Sequence, residues 1–273
     1  LAAKRLRYQA ELYADALERR FGRRPVIFYT NGYEHWLWDD AAGYPPREVQ
    51  GFLTRDELEL AIQRRSTRRR LATEPVNTDV AGRAYQQRAI KAVGEAFDGK
   101  ERRALLAMAT GSGKTRTVIA LIEQLMKAGW VKRALFLADR TALVTQAANA
   151  FKDTRMEKLQ TFADIFGIKE LEHPQPDGDT AVHIATVQGM VQRVLYTAED
   201  GTPPPIDQYD CIVVDECHRG YLLDRELSET ELSFRGYDDY ISKYRRILER
   251  LQAEAAKAVD QRWRDGEADR KSV

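Results

Sequence analysis

An α/β fold organised on a mostly parallel sheet is predicted for most of this chain, and three observations predict it. Apolar or β-branched runs at Leu105–Ala109, Ala134–Ala138, His183–Val187 and Cys211–Val214 alternate with helical periodicity at Thr117–Lys127 and Ala142–Phe151. Such alternation gives parallel strands joined by crossover helices that cover both sheet faces. Met108–Thr115 reads M-A-T-G-S-G-K-T, between the first of these strands and the first of these helices. Asp215–His218 reads D-E-C-H, directly after the apolar run Cys211–Val214. Both motifs fall at the C-terminal strand edge, where open α/β sheets carry their ligands.

The elements follow in chain order. Leu6, Ala10, Tyr13, Leu17 and Phe21 recur at three- to four-residue steps, which predicts a helix over Leu1–Phe21, stopped by Gly22. Pro25–Thr30 and Tyr33–Trp38 are β-branched and aromatic runs flanking Asn31-Gly32, a strong hairpin signal. Residues 1–54 thus look like the end of a separate α/β domain. A helix over Arg55–Arg65, the basic run Arg64, Arg65, Arg68, Arg69 and Arg70, and a stretch near Leu71–Gly82 with Pro75 and Asn77 form a linker over 55–82. The basic run is either a solvated helix end or a phosphate contact. The α/β region runs over 83–251, with turn-rich loops at His173–Thr180 and Thr202–Asp207. Residues 252–273 form a charged, helix-prone tail whose origin the sequence leaves open.

Composition bounds the function classes. The chain has 273 residues, with Lys+Arg 43 against Asp+Glu 42 and net charge +1, so global charge selects no partner. Cys211 and Cys217 flank the end of one strand and cannot staple a framework, which suits a reducing, cytoplasmic setting. His35, His173, His183 and His218 make no metal-ligand spacing. No apolar run of spanning length and no cleavable leader is present, so no membrane role is expected. The first residue is Leu rather than Met, and a piece of a longer protein is expected.

The two motifs suit phosphate chemistry. Gly111 and Gly113 let the backbone of Thr110, Gly111, Ser112 and Gly113 curl so that N–H groups converge on phosphate oxygens at a helix N-terminus. Lys114 then reaches the β and γ phosphates and Thr115 offers a hydroxyl to Mg²⁺. The generic pattern wants Gly where this chain has Met108. Asp215, at a strand end, suits Mg²⁺, and Glu216 can take a proton from an attacking water. Upstream, Arg83 opens a helix carrying Gln86, whose amide offers one donor and one acceptor edge, as adenine does; ATP is therefore the expected nucleotide.

At this point the chain resembles a superfamily 2 helicase or translocase, and more closely the R subunit of type I restriction enzymes. The residues carrying this are R-A-Y-Q-Q-R-A-I at Arg83–Ile90, M-A-T-G-S-G-K-T, L-F-L-A-D-R-T-A-L-V at Leu135–Val144, I-A-T-V-Q at Ile184–Gln188 and D-E-C-H-R-G-Y at Asp215–Tyr221. The likeness extends to Tyr240–Arg245. It also reaches back to Gln9 and Tyr13, which match a Q-x-x-x-Y element, and to Arg24–Gly32 and Trp38-Asp39-Asp40, which resemble the end of that family's nuclease domain. The resemblance implies a RecA-like P-loop ATPase lobe preceded by the C-terminal part of a nuclease-like domain. It further implies Gln86 on adenine, Lys114 and Thr115 on phosphate and Mg²⁺, Asp215 on Mg²⁺, Glu216 polarising water, and His218 coupling the site to a second motor lobe. Arg140, Thr141, Thr186 and Gln188 would contact the DNA backbone without reading its sequence. The implied partners are double-stranded DNA and the methyltransferase and specificity subunits.

Three departures temper the expectation. The PD-(D/E)xK carboxylates of the family's nuclease precede Gln9, so cleavage by this chain alone is not expected. Gln252–Val273 lacks the family's following S/T-A-T motif. A second RecA-like lobe with its arginine finger is not in the sequence, and its loss costs roughly 10³–10⁵ in rate. The expectation is a partial R subunit that binds ATP and hydrolyses it slowly, while the whole enzyme would translocate duplex DNA and cleave it. The alternatives are a truncated ATP-binding module or another superfamily 2 helicase without nuclease activity; a small-molecule kinase fits D-E-C-H poorly.

Overall fold

The computed structural model describes residues 2–32, 34–156, 160–161, 168–169, 180–195 and 207–217. The N-terminal part comprises α1 (Ala2–Phe21), β1 (Ile27–Thr30), β2 (His35–Trp38) and β3 (Arg47–Val49), the strands pairing antiparallel in that order. Its small core is Ala14, Ile27 and Trp38, with Ala10 and Tyr29 packed against it. Gly22, at φ 68°, accepts the left-handed backbone that ends α1, as glycine does without a Cβ penalty. The expected hairpin forms, but the turn is wider than Asn31-Gly32. Asn31 pairs with Glu34 through the backbone at 3.3 Å, and its carboxamide oxygen accepts the Glu34 N–H at 2.7 Å, so β2 starts at His35 rather than Tyr33. β3 carried no recognised signal, because three residues are too few for a period to show.

Helix α2 (Arg55–Thr67) and a single 3₁₀ turn (Leu71–Thr73) lead to α3 (Ala84–Asp98) and α4 (Lys114–Lys127). Beyond them come β4 (Ala134–Ala138), α5 (Thr141–Asp153), the short strands β5 (Arg155–Met156), β6 (Gln160–Thr161) and β7 (Ile168–Lys169), then β8 (Val182–Thr186), α6 (Val187–Leu195) and β9 (Cys211–Val214). The main sheet has the order β7-β8-β4-β9 and every pair in it is parallel. The α/β reading therefore holds for this part. Alternation along β4 divides the core. Ala134, Phe136 and Ala138 face α3, α4 and α5, where Ile90, Ile119, Ile122, Leu125, Val144 and Phe151 are buried, and Leu135 on the opposite face meets Ala185 and Met190. Each such fully buried aliphatic or aromatic side chain contributes about 1.5–3 kcal/mol. Phe136 and Phe151 meet edge-to-face at 5.8 Å, and Gly94 lets α3 approach so closely that a Cβ there would lie 3.1 Å from that of Leu71.

The strand expected at Leu105–Ala109 is corrected: that stretch forms no regular element and has no ladder partner among the described residues. Leu105 is 40% exposed and only Leu106 packs against the core. An apolar run signals a wish for burial, but a strand also needs a backbone partner. On β9 the inward Cys211 and Val213 join the core, whereas Ile212 is 59% exposed. The expected features at His218, Tyr240–Arg245 and Gln252–Val273 lie outside the described residues.

Candidate functional site

Register places the candidate groups together. Ala138 of β4 lies opposite Thr186 of β8, and Leu137 opposite Val214 of β9, so three strands end at one edge. From that edge project Arg140 and Thr141 after β4, Val187 and Gln188 after β8, and Asp215 and Glu216 after β9. The Asp215 N–H donates to the Leu137 carbonyl at 2.9 Å, which extends the ladder by one residue and fixes where the acidic pair begins. The Asp215 carboxylate accepts the Glu216 N–H at 3.0 Å. Glu216 itself sits at φ 50°, a left-handed conformation that costs a non-glycine residue roughly 1 kcal/mol or more.

The glycine-rich turn approaches this edge from the other side. Gly111 and Gly113 lie at φ 76° and 85°, and Gly113 is the residue before the first turn of α4. No acidic side chain occupies that first turn, so the positive helix end is not neutralised from within. Ser112 folds back on Ala109, donating its N–H at 3.2 Å and its hydroxyl at 2.6 Å. Thr117 is buried and its hydroxyl returns to the Gly113 carbonyl at 3.0 Å. The Lys114 ammonium forms an ion pair with the Glu216 carboxylate, which joins the loop to the end of β9 across the site. Thr115 is half-buried beside it.

Gln86 has a structural part the sequence did not announce. It is 3% exposed, and its amide donates to the carbonyls of Ser112 at 3.1 Å and Gly113 at 3.3 Å, while its oxygen accepts the Arg83 N–H at 3.1 Å. Both N–H donors are thus directed at the loop, and a buried Gln braces the glycine turn instead of presenting an open two-sided edge. Tyr85, which drew no attention in the sequence, donates its hydroxyl to the Ser112 carbonyl at 2.7 Å and accepts from Arg83 at 2.7 Å. A pair of polar residues opening a helix upstream of a glycine loop was the available signal.

Among the proposed DNA contacts, Arg140 and Thr141 are exposed, Arg140 lying 3.7 Å from Asp139. Thr186 is buried, and its hydroxyl accepts the Gly189 N–H at 3.0 Å as a cap on α6, so its side chain is already engaged. Gln188 is half-buried. Gln9 and Tyr13 share an exposed hydrogen bond of 3.2 Å on α1.

The basic run is the clearest revision. Arg64 pairs with Asp210 at 2.8 Å, the two side chains 11% and 10% exposed. Arg65 pairs with Asp39 at 2.7 Å, and Arg69 pairs with Glu74 at 3.2 Å. Three of the five arginines therefore hold protein to protein, a third outcome beside solvation and phosphate contact. Asp210 stands directly before β9 and also accepts the N–H groups of Lys132 and Arg133 at 2.8 and 2.9 Å. Burial pushes its carboxyl up, but Arg64 and these N–H groups outweigh that and leave it below the usual range. Arg133 in turn forms an ion pair with Glu57 of α2, and Asp207 accepts the Thr54 N–H at 2.7 Å.

Hard oxygen donors, the Thr115 hydroxyl and Asp215 carboxylate, fit Mg²⁺, an ion that takes few protein ligands and completes its octahedron with phosphate and water. The described residues contain no cluster of three or more His, Cys, Asp or Glu that would suit a metal held by protein alone. They also contain no helix long and apolar enough to cross a membrane.

Residues 79–257 match the family described as "Type III restriction enzyme, res subunit". The chain is 48% identical over 182 residues to the type I restriction enzyme EcoKI endonuclease subunit of Escherichia coli (strain K12), covering 67% of this chain and 15% of that protein. It is 30% identical over 209 residues to the EcoAI endonuclease subunit of Escherichia coli, covering 72% of this chain and 24% of that one. A third relative, the SsaAORF53P endonuclease subunit of Staphylococcus saprophyticus, is 27% identical over 170 residues, 60% of this chain and 17% of the relative. The chain thus spans less than a quarter of the length of these relatives.

Proposed function

Since the chain belongs to the family described as "Type III restriction enzyme, res subunit", we propose that it carries the ATP-binding motor lobe of a type I restriction enzyme's R subunit, with its N-terminal elements the end of a nuclease-like domain. The reaction is ATP hydrolysis driving movement along duplex DNA, in an assembly with methyltransferase and specificity subunits that couples movement to cleavage. One observation carries the reading: the glycine turn and Lys114 face Glu216 across the sheet edge, so a phosphate cradle and a carboxylate base share one site.

The chain's residues divide the work. Backbone N–H groups of the Gly111–Gly113 turn and the N-terminal end of α4 receive phosphate oxygens. Gln86 and Tyr85 hold the turn in shape by occupying its carbonyls, while adenine contact by Gln86 would use the remaining lone pair of its amide oxygen. Lys114 exchanges Glu216 for phosphate when nucleotide enters, and that exchange releases Glu216 to accept a proton from water. Thr115 and Asp215 would hold Mg²⁺, which supplies charge neutralisation at the phosphates. Arg140, Thr141, Thr186 and Gln188 would track the DNA backbone from the same edge, the side chain of Thr186 first leaving its bond to Gly189. His218 completes the family's motif.

The experiment is MgATP binding and steady-state phosphate release with and without linear duplex DNA, beside Lys114→Ala. Nucleotide binding that the variant loses is the expected result. Equal binding by wild type and variant would remove the reading.

A further inference from the structure

Between the N-terminal sheet and the segment after α3, three cations gather about one phenol with a fourth nearby, and the nucleotide site uses none of them. The Lys100 ammonium stands 4.9 Å from the Tyr44 ring centre and the Arg102 guanidinium 4.4 Å from it. Arg68 directs Nη1 at the Tyr44 hydroxyl from 3.4 Å and lies 4.8 Å over the Trp130 ring. Arg47, on β3, is close enough for the Arg102 charge to disfavour its own.

Charge within the cluster is not balanced. Among the described residues, every ion pair involving Asp39 or Asp210, the two acids whose charge reaches Arg68, is made with Arg65 or Arg64 instead. Their chain neighbours Glu48 and Glu101 are exposed. Among the described residues the buried Arg68 Nε has no hydrogen-bond partner, an expensive state for a charged donor unless something else completes it. Desolvation, and then Arg102, holds Arg47 down to about 10, and desolvation likewise lowers Arg68 and Arg102. Yet Arg47, Lys100 and Arg102 remain open to solvent. Solvent reaches these groups while protein around them strips part of their hydration, which describes a site wall better than a core.

We infer that Arg68, Lys100 and Arg102, arranged about Tyr44, together with Arg47 beside Arg102, form a second binding site for phosphate oxyanions, suited to the phosphodiester backbone of a nucleic acid. The donors come from three separate chain segments, Arg47, Lys100 and Arg102 exposed and Arg68 half-buried, unlike the converging backbone N–H groups of the nucleotide loop. Guanidinium forks match phosphate oxygens two at a time, and a row of them suits a repeating polyanion better than a single ion. The nucleic-acid source rests on the proposed function; the oxyanion chemistry does not.

Arg47→Ala/Arg102→Ala tests it against Arg55→Ala/Arg88→Ala, which removes the same charge from exposed helix positions. Binding of a short labelled duplex is followed by fluorescence anisotropy across a salt series, without nucleotide. Loss of two phosphate contacts lowers the slope of log K against log salt by about 1.8 and affinity by about tenfold, with the control close to wild type. In parallel, thermal unfolding is followed with and without inorganic phosphate at fixed ionic strength. Unchanged duplex binding with phosphate stabilisation lost in the cluster variant assigns the site to free phosphate. If both measurements match the control variant, the cluster is no oxyanion site. Should wild type bind no duplex, the proposed function fails, and the phosphate arm still decides the cluster.

Discussion

Gly111 and Gly113 have nearly the same backbone conformation but different surroundings, and replacing each with Ala separates conformational strain from the brace made by Gln86. Both substitutions place a Cβ in the left-handed region, costing about 1–2 kcal/mol. At Gly111 nothing lies within 4 Å of the new carbon. At Gly113 it would lie 2.6 Å from the Gln86 amide nitrogen, so the amide must swing away from the Ser112 and Gly113 carbonyls. Two hydrogen bonds at about 0.5–1.5 kcal/mol each add about 1–3 kcal/mol. Gly113→Ala is therefore expected to lower the unfolding free energy by about 2–5 kcal/mol and Gly111→Ala by only about 1–2. In Gly113→Ala/Gln86→Ala the shared hydrogen bonds are lost once, so the double variant falls short of the sum by about 1–3 kcal/mol. Urea titration of wild type, the three single variants Gly111→Ala, Gly113→Ala and Gln86→Ala, and the double variant measures all of this. Equal losses at the two glycines, or strict additivity in the double variant, would refute the bracing role of Gln86.

Three further outcomes are expected. Glu216→Gln removes the counter-ion that Lys114 holds before nucleotide arrives, so MgATP should bind several-fold tighter while turnover falls by about 10² or more; weaker binding of a fluorescent nucleotide would contradict this. Removing one partner of the Arg64–Asp210 pair should cost about 3–5 kcal/mol, whereas Arg64→Met/Asp210→Leu should cost distinctly less, read from the same urea curves. Burial, then the Arg193 charge, lowers His183 to about 4. The unfolded chain therefore binds a proton between pH about 6.5 and about 4 that the folded chain refuses, and stability falls as pH drops through that window, by no more than about 3 kcal/mol. His183→Asn should flatten that slope; an unchanged slope would place its origin elsewhere.

Much of the sheet was legible because β4, β8 and β9 are short apolar runs bounded by turn residues, and their limits follow from the run itself. Leu105–Ala109 has the same composition but forms no ladder, since periodicity reports the side chains a segment would bury and not whether a neighbouring backbone accepts its hydrogen bonds. The glycine loop was legible because positive φ demands glycine at defined places. Gln86 was found for its position, but not for the hydrogen bonds it gives the glycine turn. A single polar residue on a helix carries no mark of which side it faces until the opposing loop is known. The arginine run shows the same limit more strongly. Its partners Asp39, Glu74 and Asp210 lie in three separate segments, so no local window could distinguish a solvated run from a set of tethers.

Those tethers connect the N-terminal part and the root of β9 through one helix. Arg65, near the end of α2, pairs with Asp39 and donates to the Arg24 carbonyl of the N-terminal part, while Arg64, one residue earlier, pairs with Asp210 at the root of β9. Adjacent helical residues point about 100° apart, so consecutive arginines can grip opposite neighbours, which a spacing of three or four could not do. β9 is only four residues long and ends at Val214, directly before Asp215. Movement of α2 against the sheet must therefore either strain the Asp210 contacts or carry β9, and with it the acidic pair that faces Lys114. Because Asp210 also accepts two backbone N–H groups from the Lys132–Arg133 turn, letting go of Arg64 would still leave it anchored to the sheet. The weaker link is thus the arginine, and Arg64→Ala should loosen the N-terminal part, detected as amide exchange that speeds up more in α2 than in β4.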